Sequence, residues 1–414
     1  MDSKLESLRK LSQLQTQVYD LFLQSEATKA SGDYVAAHSI YQVYIANGRT
    51  YLQAALDFTK QFPDLPQEIP PIAQTLVNAL MVDADIIQSI GDRTAAEALR
   101  EEALEVSRIH LGRKGTANSE RARAGALTTE GRFNEAIVAL MSARDLFLEE
   151  GDLLALARVT IDLADILNWL GDSRRAKEEI EHVETIIQPM LAGKQLNQKD
   201  VWDSLASTLS SINAGHGNPG DAERTANLWR AATEVIFYQG LIAKALKDWD
   251  DSERCFNQIL PEYKELGTGE AIVYQLAQIK IGRGQFREAL EEMQQIEHVF
   301  KQGPFRPKLG VLWRAQAECC HALHESGEAL RLVEKSIADL MERHFDPDAL
   351  WHSHWLKAQI YADQGEKKLG LESLRSALEI VTNLRRAPLG YRLDSTYMAD
   401  KKEFYSHAIE ETIK

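Results

Sequence analysis

Cysteine is nearly absent: the three thiols in 414 residues are Cys255, Cys319 and Cys320, two of them adjacent in sequence. That excludes a disulfide scaffold. Glycine (24) and proline (11) both fall below their ordinary usage of roughly 7% and 5%. Loops must therefore be short and most residues must sit in regular structure. There is no apolar run of the ~18 residues a membrane-spanning helix needs, and the opening Met-Asp-Ser-Lys-Leu-Glu-Ser-Leu lacks the apolar core of a signal peptide. A soluble, cytoplasmic protein in a reducing compartment is expected, with no membrane partner. Basic residues are outnumbered 47 to 62, leaving a net charge of −15, which argues against nucleic acid as a partner. No glycine cluster suits a phosphate or dinucleotide loop, and strand-like alternation is nearly missing, so no cofactor is implied.

What is present is a repeat. Gly32, Gly91, Gly131, Gly171 and Gly284 are each followed five residues later by alanine: Ala37, Ala96, Ala136, Ala176 and Ala289. Looser copies start at Lys247 with Ser252, Gly365 with Gly370, and, shifted, His324 with Ala329. Most successive steps are near 40 residues; the step from 171 to 247 is about twice that, so a degenerate copy is expected inside it. Each copy reads as a helix-turn-helix. Glycine ends the first helix because it accepts the left-handed conformation. Asp33, Asp92, Asp172 and Asp248 can cap the next helix through its free N–H groups. The small residue lets the two helices approach closely. Around Gly171, Ala157, Ile161, Ala164 and Leu167 form an apolar stripe before the turn, and Ala176, Ile180, Val183 and Ile187 form one after it. Neither helix can bury its stripe alone, so adjacent pairs must stack.

The Gly-Asp/Arg-Tyr/Phe-x-x-Ala pattern resembles tetratricopeptide (TPR) repeats, in the longer-helix form of bacterial signalling proteins and of regions beside CHAT caspase-like proteases. The resemblance implies an all-α, TPR-like α-α superhelix, a right-handed solenoid of about eight or nine helix pairs, over residues 1–386. Residues 387–414 would form a turn and a capping or connector helix. Prolines are expected mainly outside helices: Pro63 to Pro71 would stretch the first step, and Gly303 to Pro307 and Phe345 to Pro347 would be turns.

Candidate chemistry is sparse. His216, in Gly215-His216-Gly217, invites comparison with the His-Gly of caspase-like proteases, but a polar, helix-like run leads into it and a surface loop is expected. Cys320 and His324 lie at i, i+4, yet a zinc site needs about three or four ligands and no second cluster accompanies them. The cysteines read as buried helical thiols; a cysteine hydrolase is the enzyme alternative, and non-enzymatic function is favoured.

In TPR stacks the first helices of successive pairs line the concave face. Transferred by distance from each turn, the family's inward positions fall on Arg158, Asp165 and Asn168, then Tyr274 and Gln278. They continue with Arg314, Glu318 and His321, and end with His352, Trp355 and Gln359. These polar and aromatic groups suit a peptide or protein partner, while pairing across repeats is the plainer role for each. For Trp355 that role is packing onto the previous repeat. The Lys/Asn pattern of chaperone-binding TPRs is not reproduced. Near the end, Lys401, Tyr405 and Ile409 resemble the element between a TPR array and a CHAT protease domain. That resemblance implies a caspase-like protease as partner in cis or trans. An intracellular peptide receptor, or the sensor module of a transcriptional regulator, is the alternative within the same fold.

Overall fold

The computed structural model describes residues 2–30, 33–65, 67–129, 131–190, 219–265, 267–301, 303–343 and 347–386. Every regular element among them is helical: sixteen α-helices and a short 3₁₀ helix, Gly303–Lys308, with no strand. None of these helices is long and apolar enough to cross a membrane. The chain forms two compact units, Met1–Val159 and Thr160–Lys414, divided inside the seventh helix.

The first unit contains α1 (Asp2–Ala30), α2 (Tyr34–Gln61), α3 (Ile69–Ile90), α4 (Arg93–His110), α5 (Gly112–Thr129) and α6 (Phe133–Glu150), and the start of α7 (Leu153–Trp169). The second contains the rest of α7, α8 (Ser173–Met190), α9 (Pro219–Ala245), α10 (Trp249–Glu265), α11 (Gly269–Gly282), α12 (Phe286–Phe300), α13 (Leu309–Ala322), α14 (Ser326–Arg343), α15 (Pro347–Asp363) and α16 (Lys367–Arg386). Within each unit helices pack chiefly on their neighbours along the chain: α1 on α2, α3 on α4, α5 on α6, then α9 on α10, α11 on α12, α13 on α14, α15 on α16. Second helices also touch the first helix of the next pair, as α2 does α3 and α12 does α13. Among the described residues each unit is thus a TPR-like run of stacked helix pairs.

The repeat signature fixes one turn geometry seven times among the described residues. Gly91, Gly131, Gly171, Gly284 and Gly365 all have positive φ, and Lys247 (62°) and His324 (63°) take the same conformation without being glycine. Each turn closes by the same two bonds. In the third described turn Gly171 N donates to Asn168 O and Asp172 N to Leu167 O; at His324 the pair is His324 N to His321 O and Glu325 N to Cys320 O. This is the double closure that satisfies the last carbonyls of a helix. The residue five positions on then donates its amide to the first carbonyl of the next helix, as Ala176 N does to Asp172 O and Ala329 N to Glu325 O. Its side chain is wholly buried at Ala37, Ala96, Ala136, Ala176, Ser252, Ala289 and Ala329. The aspartates cap as expected: Asp33, Asp92, Asp172 and Asp248 accept from the amides of Ala36, Ala95, Arg175 and Asp251. Arg132 and Gln285 hold the same place without a side-chain cap.

Close approach has its own markers. Ser252 donates its hydroxyl to Gly240 O across the α9–α10 pair at 2.8 Å. A Cβ on Gly282 would fall 2.4 Å from the Trp249 indole, so α11 can reach α10 only because that position is bare. Phe256, wholly buried, packs edge-on to Phe237 at 5.8 Å. Burying a side chain of this size contributes roughly 1.5–3 kcal/mol, which neither helix could collect alone.

Several expectations change. Pro70 and Pro71 are not linker: they sit in the first turn of α3, where their missing N–H groups cost nothing. The long first step is carried partly by α2, whose 28 residues exceed an ordinary repeat helix. Pro261 lies inside α10. Gly303 to Pro307 is a 3₁₀ helix rather than a simple turn, and Pro347 opens α15. Pro219 to Asp221 belong to the start of α9. The Gly32 position, the Gly215–Gly217 stretch with His216, residues 345–346, and residues 387–414 with Lys401, Tyr405 and Ile409 lie outside the described residues. The degenerate copy expected between 171 and 247 falls partly on residues 191–218, also outside them.

Candidate functional site

The eleven residues assigned to an inward face are all half-buried, neither lost in the core nor fully exposed. Arg158 belongs to the first unit, where its charge acts on Asp152. The other ten belong to the second unit, on its first helices α7, α11, α13 and α15. Those helices are joined to one another by polar contacts that bypass the second helices. Tyr238 of α9 hydrogen-bonds Asp165 of α7. Lys244 of α9 donates to Gln275 Oε1 of α11. His321 Nε2 of α13 lies 3.6 Å from Asp363 Oδ2 of α15. The first helices thus share one polar side.

The electrostatics of that side are divided. Burial, with Asp162 close by, pushes the Asp165 carboxyl up to about 6, against the pull of the Tyr238 bond and of Lys308. Burial and the surrounding carboxylates of Asp165, Asp162 and Glu234 raise Tyr238 well above the usual phenol range, so its hydroxyl stays a donor. Farther along, burial and then the Arg314 guanidinium lower the Lys244 ammonium to about 8. The Arg314 charge on α13 thus acts on Lys244 of α9, which is half-buried and held on Gln275 of α11. Arg314 also reaches Glu318 Oε2 at 3.5 Å along its own helix. Nearby on α11, the Gln278 Nε2 donor is buried without a hydrogen-bond partner among the described residues.

The remaining positions divide by use. Asn168 accepts from Ser173 Oγ at 2.8 Å and is committed to its own turn. Tyr274 packs against the core shared by α11 to α15 and tilts onto Phe300 at 6.1 Å. Trp355 stacks on Trp351 at 5.9 Å and packs against the cluster that joins Trp351 and Ala358 to the α16 residues Leu374, Ala377 and Val381. His352 lies 6.2 Å from the Trp355 ring and 3.7 Å from Asp348, one turn earlier. Its neighbour His354 is held towards the neutral form by burial and by Lys357. Gln359 follows on the same helix.

Sequence reasoning missed Lys244, Tyr238 and Trp351. Lys244 had a usable signal: it stands three residues before the turn residue Lys247, the offset of Asn168 from Gly171 and of His321 from His324. The cysteine alternatives lose their chemistry. All three thiols are buried, and burial pushes Cys255 to about 11, Cys319 to about 12 and Cys320 to about 11, far from a thiolate at neutral pH. Helical i, i+4 spacing fails for Cys320 and His324, because α13 ends at Ala322 and His324 is in the left-handed turn. No group of three metal-ligating side chains occurs among the described residues.

No family model matches the chain, and no curated protein does. Solved structures do. A Rap protein complexed with Competence and Sporulation Factor superposes with TM-score 0.51 at 9% identity, covering 92% of this chain and 99% of that chain. Aspartyl phosphate phosphatase F from Bacillus subtilis gives 0.47 at 11% identity, covering 90% and 92%. A tetratricopeptide repeat protein from Parabacteroides merdae ATCC 43184 gives 0.45 at 14% identity, covering 80% and 98%. At such identities the likeness concerns fold: a helical repeat of the TPR type.

Proposed function

We propose that the chain is a non-enzymatic interaction scaffold whose first-helix face in the second unit holds a peptide or a loop of a partner protein, with an acidic group of that partner seated at Lys244 and Arg314. The observation that carries this is the like-charged pair itself. A partly buried ammonium near a guanidinium favours an added anion, and Gln278 Nε2 offers a further donor on the helix between. Charge-assisted bonds of this kind are shorter and stronger than neutral ones. A partner in an extended conformation would meet Asp165 and Tyr238 on one flank and His321, His352 and Trp355 on the other. Asn168, Tyr274, Glu318 and Gln359 complete the proposed face as supports rather than anchors.

The test is binding of a peptide library of mixed charge to the full chain. Peptides carrying Asp, Glu or a free carboxylate should be enriched. Lys244→Met should weaken the selected peptides by about tenfold or more, as loss of a partly buried charge-assisted bond does. Binding should also fade as pH rises through about 8, where Lys244 loses its proton. Enrichment blind to charge, or an unchanged affinity in a folded Lys244→Met protein, would overturn the assignment. A caspase-like protease of the CHAT type as the partner rests on the Lys401 and Tyr405 resemblance. Joint purification with such a protease domain is the measurement that decides it.

A further inference from the structure

A second, separate site lies in the first unit and does not depend on the face just described. Here α1 and α3 stand apart over α2 and leave a cleft of about 430 Å³, inside the range of small-molecule sites. One wall is a face of α1 carrying Tyr19, Phe22 and Glu26 at i, i+3 and i+7; the floor is α2, with Tyr41, Tyr44 and Tyr51. Five of the fourteen lining residues are therefore aromatic, in a chain where aromatics make up 7%.

The rings are tilted rather than stacked: Phe22 to Tyr44 is 6.3 Å at 56°, and Tyr41 to Tyr44 is 5.9 Å at 45°. Faces at such angles form the sides of a box. Tyr19 and Phe22 are 58% and 40% exposed, so the mouth of the cleft offers bare aromatic surface to solvent. Burial keeps the phenols of Tyr41, Tyr44 and Tyr51 protonated and neutral. Among the lining residues Glu26 alone carries formal charge. Its Oε1 accepts the Tyr41 hydroxyl at 2.5 Å and lies 3.7 Å from Lys29, an exposed pair one turn along α1.

We infer that this cleft binds a quaternary ammonium group. Aromatic faces attract a cation through the ring quadrupole, most strongly when the cation sheds water easily. An alkylated ammonium does so, whereas a bare lysine ammonium is strongly hydrated. The lone carboxylate supplies the counter-charge, and Ile72, Ala79 and Val82 of the α3 wall suit the methyl groups.

The chemistry is the same whether the group belongs to a free small molecule or to a trimethylated lysine of a peptide, and titration calorimetry on the full chain separates the two. Choline, a short peptide bearing trimethyl-lysine, the same peptide unmodified, and 3,3-dimethylbutan-1-ol as neutral isostere are each titrated. Choline or the trimethylated peptide should bind at least about fivefold more tightly than its neutral or unmodified counterpart. Glu26→Gln, which keeps the bond from Tyr41, and Tyr19→Ala, at a surface position, should each reduce that preference with the helical circular dichroism unchanged. The isostere binding as tightly as choline would overturn the assignment. So would the absence of saturable binding by either cation up to about 10 mM.

Discussion

His38 of α2 and Asp83 of α3 meet at 2.8 Å, Nδ1 to Oδ1, and the Asp83 carboxylate is wholly buried. Burial raises the Asp83 pKa, while the His38 hydrogen bond and charge pull it down without cancelling the rise. Its other oxygen, Oδ2, is buried without a partner among the described residues. His38→Ala would leave an unpaired buried carboxylate, a defect that typically costs about 3 kcal/mol. A group whose folded pKa is raised loses stability as pH rises. The His38→Ala defect should therefore be largest at neutral and alkaline pH and shrink towards pH 4. Urea unfolding of both proteins across that range measures it.

Glu262 of α10 is the counterpart in the second unit. It is buried, accepts from Thr233 Oγ1 at 3.2 Å, and is pushed up to about 7, chiefly by burial. Below its unfolded pKa, near 4.5, both states are protonated and no penalty exists. Between there and about 7 the folded protein holds a proton that the unfolded chain has lost, so stability falls with rising pH. Glu262→Gln keeps the acceptor for Thr233 and removes the charge. It should be nearly neutral at pH 4 and stabilise by roughly 2–3 kcal/mol at pH 8. An equal effect at both pH values would show that the carboxylate is not the cause.

Lys247 and His324 pay a steric penalty in the left-handed turn that glycine avoids. Both are exposed, so replacement touches little else. Lys247→Gly and His324→Gly should each stabilise by about 0.5–1 kcal/mol after the larger entropy loss of glycine is deducted. Gly171→Ala should move the other way by a similar amount, and denaturant midpoints compare all three.

The thiols offer a sharp readout. With Cys255, Cys319 and Cys320 buried and raised far above neutral pH, a thiol reagent should label the native protein only as fast as it opens. All three should react at once in denaturant. A single fast native cysteine would restore the hydrolase alternative.

The helix pairs were legible because two local constraints, a left-handed residue and a small residue five positions on, recur with little freedom to vary. The second constraint proved the firmer. Ser252 and Ala329 kept the register where glycine had been replaced by Lys247 and His324. The face was legible only in part, since spacing from a turn says which side of a helix a residue occupies and not what meets it there. Asn168 and Tyr274 are on first helices and are drawn into a turn and a core. Lys244 escaped notice because α9 follows the interval where the repeat loses its beat. The aromatic cleft of the first unit had no sequence signal, since its rings come from two helices, α1 and α2, and its remaining wall from a third, α3, brought together only by packing.

Packing that runs from each helix mainly to the next along the chain has a consequence for how the protein is made and unmade. Little of either unit waits on distant residues, so structure can accumulate while the ribosome is still adding sequence. Pulled between its ends, such a unit should give way as a staircase of small extensions, one hairpin at a time, and not in a single rip.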